Sequence, residues 1–90
     1  MKPVSLTELR KKIDRVDIRI VRLIQKRMIL AIAIGQLKKS NRQPVEIKQR
    51  EKKVLANWER QASGLGLDKK TIIEIARLLI RVSKFKEKLK

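Results

Sequence analysis

The sequence contains no cysteine, no histidine and no tyrosine. The missing cysteines exclude disulfide bonds and thiol nucleophiles, and the missing histidines exclude imidazole bases and most transition-metal sites. Any chemistry is therefore left to arginine, lysine, carboxylates, hydroxyls and the backbone. With only three glycines and two prolines in 90 residues, the composition is typical of one small helical domain, which we expect to span residues 1–90.

Acidic residues are also scarce. Nine Asp and Glu stand against 25 Lys and Arg, which gives a formal charge of +16. Such a balance attracts anions, whether nucleic acid, an acidic membrane surface or a small polyanionic substrate. No segment approaches about 18 uncharged apolar residues, and the N-terminal residues lack the apolar run of a signal peptide. The sequence therefore predicts a cytoplasmic protein without a membrane span.

Hydrophobic periodicity predicts an all-α fold of three helices. The predicted helices run from about Leu6 to Lys39, from about Glu46 to Ala62, and from the residue after Asp68 to about Lys88. Gly64 or Gly66 can take the left-handed conformation that ends the second helix. Asp68 offers a side-chain oxygen that can cap the third helix.

The first helix is too long for a lone globule. About 34 residues at 1.5 Å each extend roughly 50 Å, whereas a compact chain of this length has a diameter near 30 Å. We expect the projecting part to include residues 29–37, ILAIAIGQL, which are apolar on nearly every side. The simplest cover is a second copy related by two-fold symmetry, so the length predicts an intertwined homodimer. The alternative is a monomeric bundle whose first helix breaks near Gly35.

Two cations lie on the apolar stripe of the first helix. On a wheel of 100° per residue that starts at the first helical residue, the stripe extends from about 260° to 40°, with Arg27 near 300° and Lys38 near 320°. Arg10 lies at its edge, and Asp17 is the one carboxylate on it. Cations that face an interior are costly without an anionic partner. Asp17 or Glu51 could pair with them, their stems could reach water, or they could bind an anionic ligand.

The other two helices also direct polar groups inward. Glu51 shares a face with Leu55 and Trp58 by its i, i+4 and i+7 spacing. Ser83 and Glu87 are one turn apart and continue the apolar stripe of the third helix, which consists of Ile72, Ile75, Ala76, Leu79 and Val82. Taken singly, Ser83 is typical of a small core residue and Glu87 of a surface carboxylate. Together with the two cations, these groups predict one pocket between the helices.

The chemistry available to such a pocket is limited. The sequence has no nucleophile with an activating base, no metal-binding cluster and no glycine-rich phosphate loop. What remains is the binding of an anion and preorganised electrostatics, which suffice for a reaction that separates charge without a covalent intermediate. We therefore expect no cofactor.

Three stretches carry a resemblance to a known family. They are LTELRKKIDRVDIRIVRLIQKRMILAIAIGQLKK, then PVEIKQREKKVL, then LLIRVSKFKE, and they cover nearly the whole chain. Together they resemble the all-helical, AroQ-type chorismate mutase family. The resemblance implies an intertwined dimer with two equivalent sites. It also implies the rearrangement of chorismate, a small dianion, to prephenate in aromatic amino-acid biosynthesis.

The resemblance also implies a role for each candidate residue. Arg27 would hold one substrate carboxylate, and Arg10 of the neighbouring chain would hold the other. Lys38 would bind the ether oxygen, where negative charge accumulates as the C–O bond breaks. Glu51 would accept a hydrogen bond from the ring hydroxyl of the substrate, and Ser83 would contact a carboxylate.

Three further positions complete the implied site, and two of them depart from the family pattern. Glu87 would be the second group at the ether oxygen, where many members carry Gln. A carboxylate there must be protonated, or activity must decline as the pH rises. Ile47 stands where Asp is common, so only its backbone N–H could meet the substrate hydroxyl. Arg50 would support the electrostatics of the site.

Other functions stay open from the sequence. Isochorismate pyruvate lyase and aminodeoxychorismate mutase resemble the same helices, and pocket residues alone do not separate them. A nucleic-acid-binding helical module fits the charge of +16. Against that module, Trp58 and Phe85 are the only aromatic residues, which leaves little to stack on bases. A salt-dependent gel shift would test it.

Overall fold

The structure is a computed structural model that describes residues 3–41 and 47–88, with side chains for residues 3–39 and 48–84. It contains the helices α1 (Leu6–Asn41), α2 (Ile47–Leu65) and α3 (Lys69–Lys88). The prediction of an all-α fold is confirmed, and the predicted bounds differ from the observed ones by three residues or fewer. None of the helices within the described residues is long and apolar enough to span a membrane.

Short polar side chains begin two of the helices. At α1, the backbone N–H of Glu8 donates to Ser5 Oγ at 3.1 Å, in the S-x-x-E spacing of a capping box. At α3, Asp68 Oδ2 accepts from the N–H of Thr71 at 3.2 Å and from its hydroxyl at 2.5 Å. Both hydrogen bonds stabilise the ionised carboxylate and so lower the pKa of Asp68, and the bond from the Thr71 hydroxyl has the larger effect. The cap therefore stabilises the fold above the ordinary pKa of aspartate, and this contribution is lost as the pH falls through the lowered value.

Gly66 terminates α2. It has a φ of +69°, which glycine adopts without steric cost. The N–H of Leu67 donates to the carbonyl of Ala62 at 2.9 Å, and the N–H of Gly66 donates to the carbonyl of Ser63 at 3.3 Å. This pair of bonds is a Schellman motif, which satisfies carbonyls that the end of the helix leaves without partners. Gly64, the other candidate, lies inside α2.

We expect Gly66→Ala to lower the free energy of unfolding by about 1–2 kcal/mol, because an L-residue is strained in the left-handed conformation. Gly64→Ala is the matched control. It should raise the free energy of unfolding by about 0.5–1 kcal/mol, because alanine favours a helix interior. Neither added methyl group meets an atom within 4 Å, so the two effects come from the backbone alone. Urea denaturation of both variants measures them, and a stabilising Gly66→Ala would contradict the assignment of this cap.

Helix α3 holds the chain together. It packs against both α1 and α2, whereas α1 and α2 do not contact each other over the described residues. Among these residues, the buried positions are all small: Ala31, Gly35, Ala62 and Ala76. Small residues allow helix backbones to approach closely, but they bury little apolar area. Nineteen large hydrophobic side chains of the described residues are exposed, so a single chain does not bury a complete hydrophobic core there.

The projecting part of α1 is its N-terminal half. Every described residue from 3 to 26 is exposed, and the covered positions of α1 begin at Arg27. The prediction that residues 29–37 project is therefore wrong: Ala31 and Gly35 are buried there, since α3 packs on this half. The alternative of a break near Gly35 is also wrong, because α1 is continuous. The long helix gives the chain dimensions of 61 × 25 × 16 Å and a radius of gyration of 17.2 Å, well above the roughly 12 Å of a compact chain.

The exposed half of α1 carries an apolar stripe that none of the described residues of the same chain covers. Its members recur at helical spacing and are all exposed: Leu6, Leu9, Ile13, Val16, Ile20, Leu23 and Ile24. A stripe of this kind normally faces a core. We therefore expect a second copy of the chain to cover residues 6–24.

Candidate functional site

Arg27 extends from α1 to α3. Its Nη1 donates to Ser83 Oγ at 2.5 Å and to the backbone carbonyl of Leu79 at 3.3 Å. The Ser83 hydroxyl in turn donates to the same carbonyl at 2.8 Å, so it has a lone pair free to accept from Arg27. Arg27 and Ser83 are both half-buried. The structure thus brings together two of the residues singled out in the sequence.

The anchoring of Arg27 leaves part of its guanidinium available. The bonds to Ser83 and Leu79 use Nη1 only, and Nε and Nη2 have no hydrogen-bond partner among the described residues. A guanidinium carries five N–H donors in a planar fork that matches a carboxylate. Arg27 is therefore held by one edge, and the remaining donors suit a carboxylate ligand.

Glu51 extends from α2 to α3. Its carboxylate oxygen Oε1 forms an ion pair with Lys84 Nζ. Oε1 is buried and has no hydrogen-bond partner among the described residues. The ion pair with Lys84 therefore offsets the cost of removing this charged oxygen from water. The prediction that Glu51 shares a face with Leu55 and Trp58 is confirmed, since all three are half-buried and Ala62 continues the same face.

The structure also places the remaining cations. Lys38 is half-buried on α1, on the same half of the helix as Arg27. Arg50 is exposed at the start of α2, and Arg10 is exposed on the projecting half of α1. Arg10 precedes Arg27 by 17 positions, so the two lie about 25 Å apart along the helix. Arg10 of one chain therefore does not reach Arg27 of the same chain.

The alternative in which Arg27 pairs internally with a carboxylate is not observed among the described residues. Within the described part of the chain, its partners are a hydroxyl and a backbone carbonyl, and neither Asp17 nor Glu51. Asp17 is exposed and lies ten positions earlier on α1, at about 15 Å along the helix. The predictions for Ile47 and Glu87 concern side chains outside the described set, although the backbone of each is helical.

Lys84 is the one residue of this cluster that the sequence reasoning missed. The prediction placed a single apolar stripe on α3, but Ile75 and Val82 of that stripe are exposed in the chain. Instead, α3 has two covered sides. Leu79 and Ser83 reach α1, and Lys84 reaches α2. The available signal was spacing, because Lys84 follows the half-buried Ile73 and Ile80 by 11 and 4 positions and so shares their face.

Comparison with known proteins identifies the family of the chain. The family model described as chorismate mutase type II matches residues 9–88, which is most of the chain. The chain belongs to the chorismate mutase type II family. The resemblance inferred from the sequence is thereby confirmed.

Three relatives are similar to this chain over most of its length. The chain is 33% identical to the T-protein of Enterobacter agglomerans over 79 residues, which are 88% of this chain and 21% of that protein. It is 32% identical to the bifunctional chorismate mutase/prephenate dehydratase of Aquifex aeolicus, over 84% of this chain and 22% of that protein. A chorismate mutase of Methanocaldococcus jannaschii is 31% identical, over 93% and 85% of the two chains. The chain thus spans about a fifth of the first two relatives and most of the third.

Proposed function

We propose that this chain is a cytoplasmic chorismate mutase, which converts chorismate to prephenate in aromatic amino-acid biosynthesis. The observation that carries the proposal is the anchored guanidinium of Arg27. Its Nη1 is fixed by Ser83 and Leu79, while Nε and Nη2 have no partner among the described residues, in a chain of the chorismate mutase type II family. The substrate is a dianion, so a preformed carboxylate fork selects it and restrains its conformation.

The rearrangement breaks the ether C–O bond and forms a C–C bond within one molecule. No proton, electron or group has to enter from outside, so the protein acts by positioning and electrostatics. Arg27 binds one carboxylate, and Lys38 stabilises the charge that develops on the ether oxygen. Glu51 accepts a hydrogen bond from the ring hydroxyl, and the backbone N–H of Ile47 donates one to the oxygen of the same hydroxyl. Ser83 orients Arg27 beside the bound carboxylate, and Arg50 adds positive potential.

The second carboxylate requires a second chain. Arg10 lies about 25 Å from Arg27 of its own chain, on the half of α1 that none of the chain's described residues covers. A two-fold partner that packs on the apolar stripe of this half would carry its own Arg10 with it. We therefore propose a homodimer with two sites, each of which takes Arg10 from one chain and Arg27 from the other.

The direct test is incubation of the purified chain with chorismate, followed by identification of the product. Prephenate that accumulates as chorismate disappears is the expected result. Isochorismate is assayed in parallel, because a lyase on the same fold would release pyruvate from it. Pyruvate release without any formation of prephenate would replace the proposal, and no turnover of either compound would refute it.

The shared sites make a further prediction. Arg10→Ala and Arg27→Ala should each be nearly inactive alone. When the two variants are unfolded together and refolded, half of the dimers are mixed, and each mixed dimer has one intact site and one doubly altered site. The mixture should therefore recover about one quarter of the natural activity, by the symmetry of a two-fold dimer. No recovery, in a mixture shown to contain mixed dimers, would place both arginines in the same chain's site.

Glu87 makes the proposed reaction sensitive to pH. A protonated Glu87 can donate to the ether oxygen, whereas an ionised one repels the charge that develops there. We expect kcat to fall as the pH rises and Glu87 loses its proton. In Glu87→Gln the amide donates at every pH, so the decline should disappear. A pH–rate profile of the two proteins measures this, and identical profiles would remove Glu87 from the ether oxygen.

A further inference from the structure

Two neighbouring residues of α3 connect the polar groups of the other helices. Ser83 binds Arg27 of α1, and Lys84 pairs with Glu51 of α2. Because α1 and α2 do not contact each other over the described residues, the relative placement of Arg27 and Glu51 depends on α3. Consecutive Cα atoms are about 3.8 Å apart. Ser83 and Lys84 therefore tie Arg27 and Glu51 to adjacent positions of α3.

The ion pair divides the roles of the two carboxylate oxygens. Oε1 of Glu51 is buried, and it is the oxygen that Lys84 contacts. The side chains of Lys84 and Glu51 remain 41% and 28% exposed, respectively. Solvent screens a pair with this much exposure, so it adds little to stability. Its main consequence is geometric, since it sets the plane of the carboxylate and leaves Oε2 to accept from another group.

We propose that Lys84 is a positioning residue for substrate binding, which fixes Glu51 through Oε1 so that Oε2 meets the ring hydroxyl of the substrate. This inference rests on the proposed function. A carboxylate released from Lys84 would lose this restraint on Oε1, so the direction of Oε2 would no longer be set. Lys84 thus holds Glu51 in position to accept from the hydroxyl before the ligand binds.

The experiment compares five proteins with the natural chain in the chorismate assay. Lys84→Met removes the ammonium and keeps the length of the side chain, while Lys84→Arg keeps a cation. Glu51→Gln, alone and combined with Lys84→Met in one double variant, tests whether the two residues act together. Lys70→Met is the matched control, since Lys70 is an exposed lysine on the same helix.

We expect Lys84→Met to raise KM about tenfold and to change kcat much less, because a ground-state contact is lost. Lys84→Arg should restore KM to within about threefold of the natural value, since it keeps the ion pair. The double variant should be no worse than Glu51→Gln alone, because residues that act through one another are not additive. Lys70→Met should behave as the natural chain.

Three results would overturn the inference. The first is a KM of Lys84→Met equal to that of Lys70→Met. The second is an effect of Lys84→Met on KM that multiplies with the effect of Glu51→Gln, which would mean that Lys84 acts independently of Glu51. The third is loss of the helical circular dichroism signal in Lys84→Met, which would assign Lys84 to folding. In each case the natural chain still converts chorismate, and the proposed function stands. A natural chain without turnover would instead remove the proposed function and this inference together.

Discussion

Replacement of Arg27 by alanine is expected to lower kcat/KM for chorismate about 10³-fold. The guanidinium is fixed by Ser83 and Leu79 and presents Nε and Nη2 to a carboxylate. Two hydrogen bonds between charged groups contribute roughly 4 kcal/mol together, and each 1.4 kcal/mol is about a factor of ten. Because the carboxylate is bound both in the ground state and in the transition state, the loss should appear largely in KM.

Two further substitutions separate charge from geometry at this position. Arg27→Lys keeps the positive charge but loses the planar fork, so it should recover only a small part of the activity. Arg22→Ala makes the same change on the exposed, opposite side of α1 and should leave kcat/KM unchanged. Equal losses in Arg22→Ala and Arg27→Ala would show that general positive charge, and not a fixed carboxylate contact, supports the activity.

Replacement of Lys38 by methionine is expected to lower kcat about 10²–10³-fold, the scale of losing one donor to a developing oxyanion. Lys38 is half-buried, where the lower effective dielectric strengthens its interaction with charge. The ether oxygen becomes strongly negative only as the C–O bond breaks. The effect should therefore fall on kcat, with KM nearly unchanged.

The adjacent lysine provides the control for Lys38. Lys39 carries the same charge one position along α1 and is exposed. Lys39→Met should reduce kcat less than twofold or so, since long-range charge is screened by solvent. Steady-state kinetics of the two variants measure the difference. A rise in KM without a fall in kcat for Lys38→Met would move Lys38 from the breaking bond to a carboxylate of the substrate.

Much of the candidate site could be predicted because side-chain direction in a helix follows from spacing alone. Wheel positions placed Arg27 and Lys38 on the apolar side of α1, and both are half-buried. The same reasoning placed Glu51 with Leu55 and Trp58 on the covered face of α2. The contacts themselves could not be predicted, because spacing within one helix contains no information about the rotation of its neighbours. For that reason the single stripe assumed for α3 missed the face that carries Lys84.

The sequence by itself determined the helices, their ends and the all-α class. These depend on local interactions such as the Asp68 cap and the glycine conformation at Gly66, which act within one turn of the chain. The tertiary structure alone decided which half of α1 is covered and that Arg27 binds Ser83 while Glu51 binds Lys84. Those outcomes depend on how α3 packs between two helices that do not touch each other over the described residues. This packing brings together residues that are far apart in the sequence, such as Arg27 and Ser83, which are separated by 56 positions. No local sequence pattern specifies such contacts.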